Sequence, residues 1–201
     1  MDKDRRFRKF IPFREGPLVM MKSENLVDGV DVIVRFHDIN RLQELNRAIF
    51  SVVTQHYRPI NIILCVQRFS EAQIESVLSS LKPILSIEDS PSLVVENFTE
   101  LVPIDARSTL VNIGFRSAKN RFITFLDYDD LIYPEAYSLL SNKLKNSESA
   151  ICFGGILIRN ISIFHDFYYK KNKNEMQESQ LLDFFDANSC PIHSFMLDRS
   201  K

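Results

Sequence analysis

Three carboxylates stand together at the end of one apolar segment of the chain. Residues 121–126 are mainly apolar and of high strand propensity, and Asp127, Asp129 and Asp130 follow them directly. A buried strand here would deliver the acids to its carboxyl end, where the loops of an open α/β sheet surround a ligand crevice. Clustered carboxylates repel one another, so a cation is expected nearby. A divalent ion held by oxygen ligands would itself bind phosphates.

The same acids have a second interpretation that involves no ligand. An apolar strand can end in a solvated acidic turn that caps the next helix, and Pro134 suits the first turn of such a helix. The acids alone favour neither metal or phosphate chemistry nor helix capping, so the surrounding elements must be considered.

The segments before the acids alternate between strand and helix. Apolar runs predict strands at residues 30–36, 60–66 and 92–98, the third of them suited to a sheet edge. A helix is predicted after each strand. Ser70 is a candidate N-cap of the second helix, Pro83 is expected to end it, and the third helix spans residues 107–119. Such alternation implies right-handed crossovers and a mainly parallel sheet with helices on both faces.

The pattern after the acids is less regular. Pro134 is expected to open a helix with an apolar face made of Ala136, Leu139, Leu140 and Leu144. The remaining predictions are a strand at residues 149–158 bent at Gly154 and Gly155, residues 159–169 that complete a hairpin, a short amphipathic helix at 176–185 and a strand within 191–197.

Size and composition restrict the classes of protein. With 201 residues, 45% of them hydrophobic, the chain can bury a core and form one domain, with or without an appendage. A formal charge of -1 argues against a general binder of nucleic acid or membrane surfaces, and no apolar run approaches the ~18 residues of a transmembrane segment. Cys65, Cys152 and Cys190 lie far apart in apolar surroundings, which favours free buried thiols over a disulfide or zinc site. We therefore expect a cytoplasmic protein, with peripheral membrane association left open.

Taken in order, four segments resemble glycosyltransferase family 2, the nucleotide-sugar-dependent enzymes of the GT-A fold. The last two are specific in combination: Arg107-Ser-x-x-x-Asn-x-Gly114 before the aspartate strand, and Phe125-Leu-Asp-x-Asp-Asp-x-x-x-Pro134 at its end. The resemblance implies an α/β fold, a GT-A-like three-layer sandwich with a mainly parallel central sheet and helices on both faces. The other two matching segments are residues 32–57, with the helix end Ser51-x-x-x-Gln-x-Tyr57, and the second strand at residues 61–66.

The resemblance also implies a domain organisation. Residues 1–29, basic in their first half, would form an N-terminal arm, and residues 30–201 a GT-A-like glycosyltransferase domain. Within that domain, residues 30–135 would bind the nucleotide sugar and residues 136–201 would form part of the acceptor side. The family's general base, an Asp or Glu, comes after the region matched here, so the C-terminal part of the domain is expected to be missing.

The implied activity is metal-dependent transfer of a sugar, with inversion, from a nucleotide-diphosphate donor to a glycan or other hydroxyl acceptor. The donor would be a UDP-sugar and the ion Mg²⁺ or Mn²⁺. Asp129 would coordinate the ion, Asp127 would contact the ribose or the same ion, and Arg107 would bind the phosphates. An alternative is a glycosyltransferase-like module that binds nucleotide sugar without turnover.

Two residues depart from the family pattern, and a third is a weak candidate for catalysis. Arg35 stands where the family commonly has a small residue or proline, so it would either contact phosphate or obstruct the pocket. Gln67 replaces an aspartate pair that binds the nucleobase, and its amide could hydrogen-bond a uracil edge. His193 could accept a proton near neutral pH, although a lone histidine beside apolar residues is more often structural.

Overall fold

A computed structural model gives the fold of most of the chain. It describes residues 26–158, 161–164, 167–170, 175–177 and 191–201. The predicted N-terminal arm therefore lies almost wholly outside the described residues, as do Cys190 and most of the predicted helix at 176–185.

Four adjacent strands of a six-stranded sheet are parallel. Three of them are mostly buried apolar runs and the remaining one, at the sheet edge, is partly buried, which confirms the strand predictions. In the sheet order β3-β2-β1-β4-β10-β5, the third strand is at one edge, as expected, and the last two strands are antiparallel additions. The strands are β1 (Val27–Phe36), β2 (Ile60–Gln67), β3 (Ser92–Phe98), β4 (Asn120–Asp127), β5 (Ile151–Phe153) and β10 (Phe195–Asp198).

Helices cover both faces of the sheet, so the predicted α/β class with a mainly parallel sheet is confirmed. Adjacent residues of a strand point to opposite faces. Val32 belongs to the core under three helices, whereas Ile33 packs in a second core under one helix. The first face carries α1 (Leu42–Val53), α2 (Glu71–Leu85) and α4 (Ala136–Lys145), and the second carries α3 (Arg107–Ser117).

Gly114 allows α3 to lie close to the sheet. A Cβ atom at this position would overlap the side chain of Ile33 on β1 and approach Sγ of Cys65 on β2 at 3.0 Å. The glycine of the family-like motif therefore serves helix packing. Cys65 is a buried free thiol, as predicted, and burial raises its pKa.

One buried carboxylate fixes the amino-terminal edge of the sheet. Asp31 accepts bonds from the backbone N–H groups of Lys119 and Asn120 at 2.5 and 2.7 Å. The side-chain amides of Asn61 and Asn120 donate to its other oxygen at 2.9 and 2.8 Å. These hydrogen bonds replace the water that the buried carboxyl group loses. Because their donors lie on or beside β2 and β4, Asp31 joins β1 to both strands at the edge opposite the acids.

Two details of the helices differ from the predictions. Pro83 was expected to end α2, but the helix continues to Leu85, whose side chain packs into the core. Pro83 therefore lies inside the last turn. On α4 the buried positions are Tyr137, Ser141 and Leu144, while Leu139 is exposed. The predicted and the observed set of buried positions both have the three- and four-residue spacing of a helix face. Contact with the sheet decides which face of α4 is buried.

The segment after α4 forms short strands. The predicted strand at 149–158 divides at the two glycines into β5 and β6, which belong to different sheets. Within the segment expected to complete a hairpin, β7 and β8 pair with each other, whereas the preceding β6 pairs with β9. Residues 176 and 177, expected in a helix, lie in β9, which pairs with β6. The remaining bounds are β6 (Ile156–Ile158), β7 (Ile161–Phe164), β8 (Phe167–Lys170) and β9 (Glu175–Gln177).

No helix within the described ranges has the length and apolar character needed to cross a bilayer.

Candidate functional site

The carboxyl-terminal edge of β1 and β4 brings an arginine and an aspartate together. In the parallel register Arg35 is the partner of Asp127, the last residue of β4. The guanidinium donates through Nε and Nη2 to Oδ1 at 2.8 and 2.5 Å, and through Nη2 to Oδ2 at 2.7 Å. Fork-to-carboxylate pairs of this kind are among the stronger and more directional ionic contacts. A cation was expected beside the acids. At Asp127 that cation is Arg35 of the same chain.

Asp129 has a looser partner. Nη1 of Arg41 lies 3.4 Å from its Oδ2 and donates more closely, at 3.0 Å, to the hydroxyl of Tyr128. Arg41 ends a short 3₁₀ turn before α1, and its Nε donates to Glu44. Hydrogen bonding to Glu44, and then to Tyr128, raises the pKa of Arg41. The Asp129 side chain is 42% exposed, so its carboxylate is accessible to a ligand.

Arg107 lies near the same edge but is paired elsewhere. Its Nη2 donates to Oδ2 of Asp105 at 2.6 Å, and its backbone N–H donates to Oδ1 of the same residue at 3.1 Å. These bonds lower the pKa of Asp105 to about 2. Hydrogen bonding to Asp105 raises the pKa of Arg107, and the negative charge of Asp127 adds to this effect. Both members of the pair are mostly exposed, so Arg107 can exchange its partner at little cost.

Gln67 and Arg68 hold the loop that follows β3. Nε2 of Gln67 donates to the carbonyl of Ile104 at 2.9 Å. Arg68, with a φ of 56°, adopts a left-handed conformation that is uncommon for its type. Its guanidinium compensates by donating to the carbonyls of Glu100, Leu101, Pro103 and Ile104. The bond from Gln67 orients its amide and leaves Oε1 as an acceptor.

His193 meets the third acid of the cluster. β10 runs antiparallel to β4, so the turn before β10 (Ile192–Ser194) lies beside the end of β4. Nδ1 of His193 is 2.8 Å from Oδ2 of Asp130 and is buried. It has no well-aligned hydrogen bond among the described residues, so the contact is one of proximity.

The structure thus gathers some of the predicted residues and separates others. Arg35, Asp127 and Asp129 meet at the β1/β4 edge, with Arg107 nearby. Gln67 lies on the neighbouring strand β2, and His193 lies on the opposite side of β4. Sequence patterns gave no indication of Arg41, Asp105 or the contact between His193 and Asp130, because each depends on a partner brought by the loops or by β10.

A divalent ion would fit this edge at one carboxylate. Among the described residues, no group of three or more His, Cys, Asp or Glu side chains is arranged to hold a metal. Mg²⁺, however, is commonly held by one or two carboxylates together with substrate phosphates. Asp129 meets that requirement. Asp127 does not, because Arg35 engages both of its oxygens.

Comparison with known proteins identifies a family. The family described as Glycosyl transferase family 2 matches residues 32–201. Among solved structures, S. aureus TarS 1-349 shares 15% identity at a TM-score of 0.49, over 61% of this chain and 34% of that one. The complex of TarS 1-349 with UDP shares 16% identity at a TM-score of 0.47, over 61% of this chain and 34% of that one. The complex with UDP-GlcNAc shares 15% identity at a TM-score of 0.49, over 61% of this chain and 33% of that one. The chain spans about a third of the length of these structures. No curated protein gives a significant match.

Proposed function

The chain belongs to glycosyl transferase family 2, and we propose that it forms the donor-binding part of an enzyme that transfers a sugar from a nucleotide-diphosphate donor to a hydroxyl acceptor. The observation that carries this proposal is the fork between Arg35 and Asp127, with the exposed Asp129 beside it. A diphosphate requires fixed positive charge and an accessible ion ligand in one place. The β1/β4 edge offers both.

Arg35 and Arg107 would bind the phosphate oxygens. Asp127 holds the Arg35 guanidinium in a fixed orientation, which lowers the entropy that phosphate binding would otherwise cost. Arg107 is exposed and would exchange Asp105 for the phosphates. In this assignment Arg35 lines the pocket and contributes a phosphate contact.

Asp129 would hold Mg²⁺ or Mn²⁺ together with phosphate oxygens. The chemistry supplied by the bound ion is neutralisation of the charge that develops on the departing diphosphate. Asp127, which the family resemblance also assigns to the ion, would act through Arg35 instead, since both of its oxygens accept hydrogen bonds from that guanidinium.

Gln67 would contact the nucleobase. Because Nε2 is bonded to Ile104, the amide presents Oε1, an acceptor that matches the N3–H donor of uracil. This supports a UDP-sugar as the donor. The remaining step would be direct attack of an acceptor hydroxyl on the anomeric carbon, with inversion, so that the protein contributes orientation and charge.

Calorimetric titration with a panel of UDP-sugars and Mn²⁺ tests the proposal. We expect wild type to bind at least one donor and Asp129→Asn to lose at least tenfold in affinity. Glu135→Gln removes a carboxylate near the acids but outside the site, so it should bind as wild type does.

Two results would argue against the proposal: no donor bound by wild type, or equal binding by wild type and Asp129→Asn. Binding that is never followed by UDP release or sugar transfer would favour the alternative, a binding module without turnover.

A further inference from the structure

We infer that Arg68 is a positioning residue that sets the nucleobase preference of the donor site. It fixes the loop between β3 and α3, and that loop holds the Gln67 amide in the orientation that accepts a hydrogen bond from uracil. The inference rests on the proposed function, in which Gln67 contacts the base. Three features support it: the exposure of the loop, the hydrogen bonds of the Arg68 guanidinium and the backbone conformation of Arg68.

The loop between β3 and α3 has little apolar contact to hold it in place. Phe98 at its start and Ala106 at its end are buried, but residues 99–105 are all exposed. The apolar side chains of Leu101 and Ile104 are 80% and 87% exposed. Because the hydrophobic effect stabilises only surface that is removed from water, hydrogen bonds to the backbone of the loop determine its position.

The Arg68 guanidinium reaches four carbonyls of this loop. Nε donates to the carbonyl of Glu100 at 2.6 Å, and Nη2 donates to those of Leu101 and Pro103 at 2.9 and 2.5 Å. Nη1 donates to the carbonyl of Ile104 at 3.3 Å. A guanidinium carries five N–H donors in a fixed planar arrangement, so a single side chain can fix several turns of the backbone at once.

The backbone of Arg68 brings two neighbouring side chains to the same loop. Successive side chains of an extended strand point to opposite faces of the sheet. Gln67 is the last residue of β2, and the φ of 56° at Arg68 ends that alternation. Nε2 of Gln67 and Nη1 of Arg68 both donate to the Ile104 carbonyl, at 2.9 and 3.3 Å. A conformation that is uncommon for arginine is thus retained where it joins the loop to the residue that contacts the base.

The shared carbonyl determines which end of the Gln67 amide meets the base. While the Ile104 carbonyl accepts from Nε2, Oε1 is the end that remains for a ligand. Oε1 accepts from the N3–H of uracil, whereas N3 of cytosine carries a lone pair that repels it. Once the loop moves away, the amide can rotate and present Nε2, which suits cytosine. Arg68 therefore favours uracil through Gln67 without touching the base.

Calorimetric titration with UDP and with CDP, each with Mn²⁺, measures the ratio of the two affinities. Both nucleotides carry the same diphosphate, so a change in charge or in phosphate binding cancels in the ratio. We expect wild type to favour UDP by about tenfold. Arg68→Met keeps a long unbranched side chain without donors and should reduce that preference to about twofold or less.

Arg68→Lys provides a second variant with less effect on folding. The ammonium keeps the charge but can reach only some of the four carbonyls, so its preference for UDP should lie between those of wild type and Arg68→Met. If circular dichroism shows that Arg68→Met does not fold, Arg68→Lys decides the test, and a wild-type ratio in this variant then overturns the inference.

Arg58 provides a matched control at the opposite edge of the sheet, because it precedes β2 whereas Arg68 follows it. Its guanidinium also donates to four backbone carbonyls: those of Val53, Gln55, Tyr57 and Asp89. Arg58→Met should lower the free energy of unfolding in urea, as Arg68→Met does, but leave the ratio of UDP to CDP affinity unchanged.

A double-mutant cycle tests whether Arg68 acts through Gln67. Gln67→Ala should itself reduce the preference for UDP, and Arg68→Met added to it should change the ratio no further. The inference is overturned if Arg68→Met keeps the wild-type ratio, if Arg58→Met reduces the ratio equally, or if the effects of the two substitutions in the cycle add. Wild type that binds UDP and CDP equally also overturns it, whereas wild type that binds neither nucleotide contradicts the proposed function as well.

Discussion

β4 carries an arginine–aspartate fork at each end, and the two forks differ in what else surrounds them. At its start, Arg121 donates to Asp198 of β10 at 3.0 and 2.7 Å. At its end, Arg35 of β1 donates to the two carboxylate oxygens of Asp127 at 2.8 and 2.7 Å. The ionic chemistry is the same at both ends, so the surroundings account for any difference in role.

The carboxylate of the fork at the start of β4 is saturated and enclosed, although its arginine, Arg121, is 25% exposed. The Asp198 side chain is fully buried, and it accepts further bonds from the N–H and hydroxyl of Ser200 at 3.0 and 2.6 Å. The Arg121 guanidinium lies over the ring of Phe122 at 4.9 Å. In contrast, the Asp127 side chain is 30% exposed, and Arg35 supplies its hydrogen bonds. A fork whose carboxylate is enclosed stabilises the fold, whereas one whose carboxylate is accessible can contact a ligand.

Removal of Asp198 should produce the largest effect. Asp198→Ala leaves Arg121 without its buried partner and should lower the free energy of unfolding by about 3 kcal/mol or more. Urea denaturation measures this loss. Asp198→Asn keeps one acceptor oxygen and should lose less, so equal losses in the two variants would contradict the assigned role of the ion pair.

The stability supplied by Asp198 should depend on pH. Burial alone would raise the pKa of Asp198, but hydrogen bonds from Arg121 and Ser200 outweigh it and lower the pKa to about 2. Because the folded-state pKa lies below the unfolded-state value, the contribution is complete above about pH 4 and is lost as the pH falls through about 2. It amounts to about 2 kcal/mol. The difference between wild type and Asp198→Asn in urea denaturation should therefore shrink between pH 5 and pH 2, and a constant difference would refute the assignment.

The fork at the end of β4 should show the reverse pattern. Asp127→Asn should lower the free energy of unfolding by less than about 1 kcal/mol, because the pair is partly exposed. It should weaken donor binding about tenfold, equivalent to about 1.4 kcal/mol, because Arg35 loses its orientation. Denaturation and donor titration of Asp127→Asn and Asp198→Asn together make the comparison. A binding loss confined to Asp198→Asn would reverse the roles of the two forks.

The sequence predicted the strands and the positions of the acids, because both depend on local patterns. An apolar β-branched run forms a buried strand wherever it lies, so Asp127 and Asp129 were correctly placed at a strand end. Residues 176 and 177 were assigned to the wrong element, because their place in β9 depends on pairing with β6 rather than on their own periodicity.

The partners of the site residues could not be predicted in the same way. Arg35 and Asp127 are 92 positions apart, and their contact follows from the pairing of β1 with β4. The approach of His193 to Asp130 depends on the antiparallel addition of β10, a strand of four residues whose sequence does not specify its neighbour. The sequence indicated that a cation was needed beside the acids, and the structure shows arginines in contact with two of them.

The core beside α4 contains a polar atom that, unlike the carboxylates of the two forks, has no hydrogen-bond partner in the part of the chain that the structure describes. The hydroxyl of Tyr137 is buried without a hydrogen-bond partner among the described residues, and burial raises its pKa. Tyr137→Phe keeps the ring and removes the unpaired group, so the free energy of unfolding should stay constant or rise by up to about 1 kcal/mol. The matched control is Tyr57→Phe, which removes a hydroxyl that donates to the carbonyl of Asp28 at 3.2 Å and should lose about 0.5 kcal/mol. If urea denaturation shows Tyr137→Phe to be the less stable of the two variants, the hydroxyl is not unpaired, and its assignment as a destabilising group is wrong.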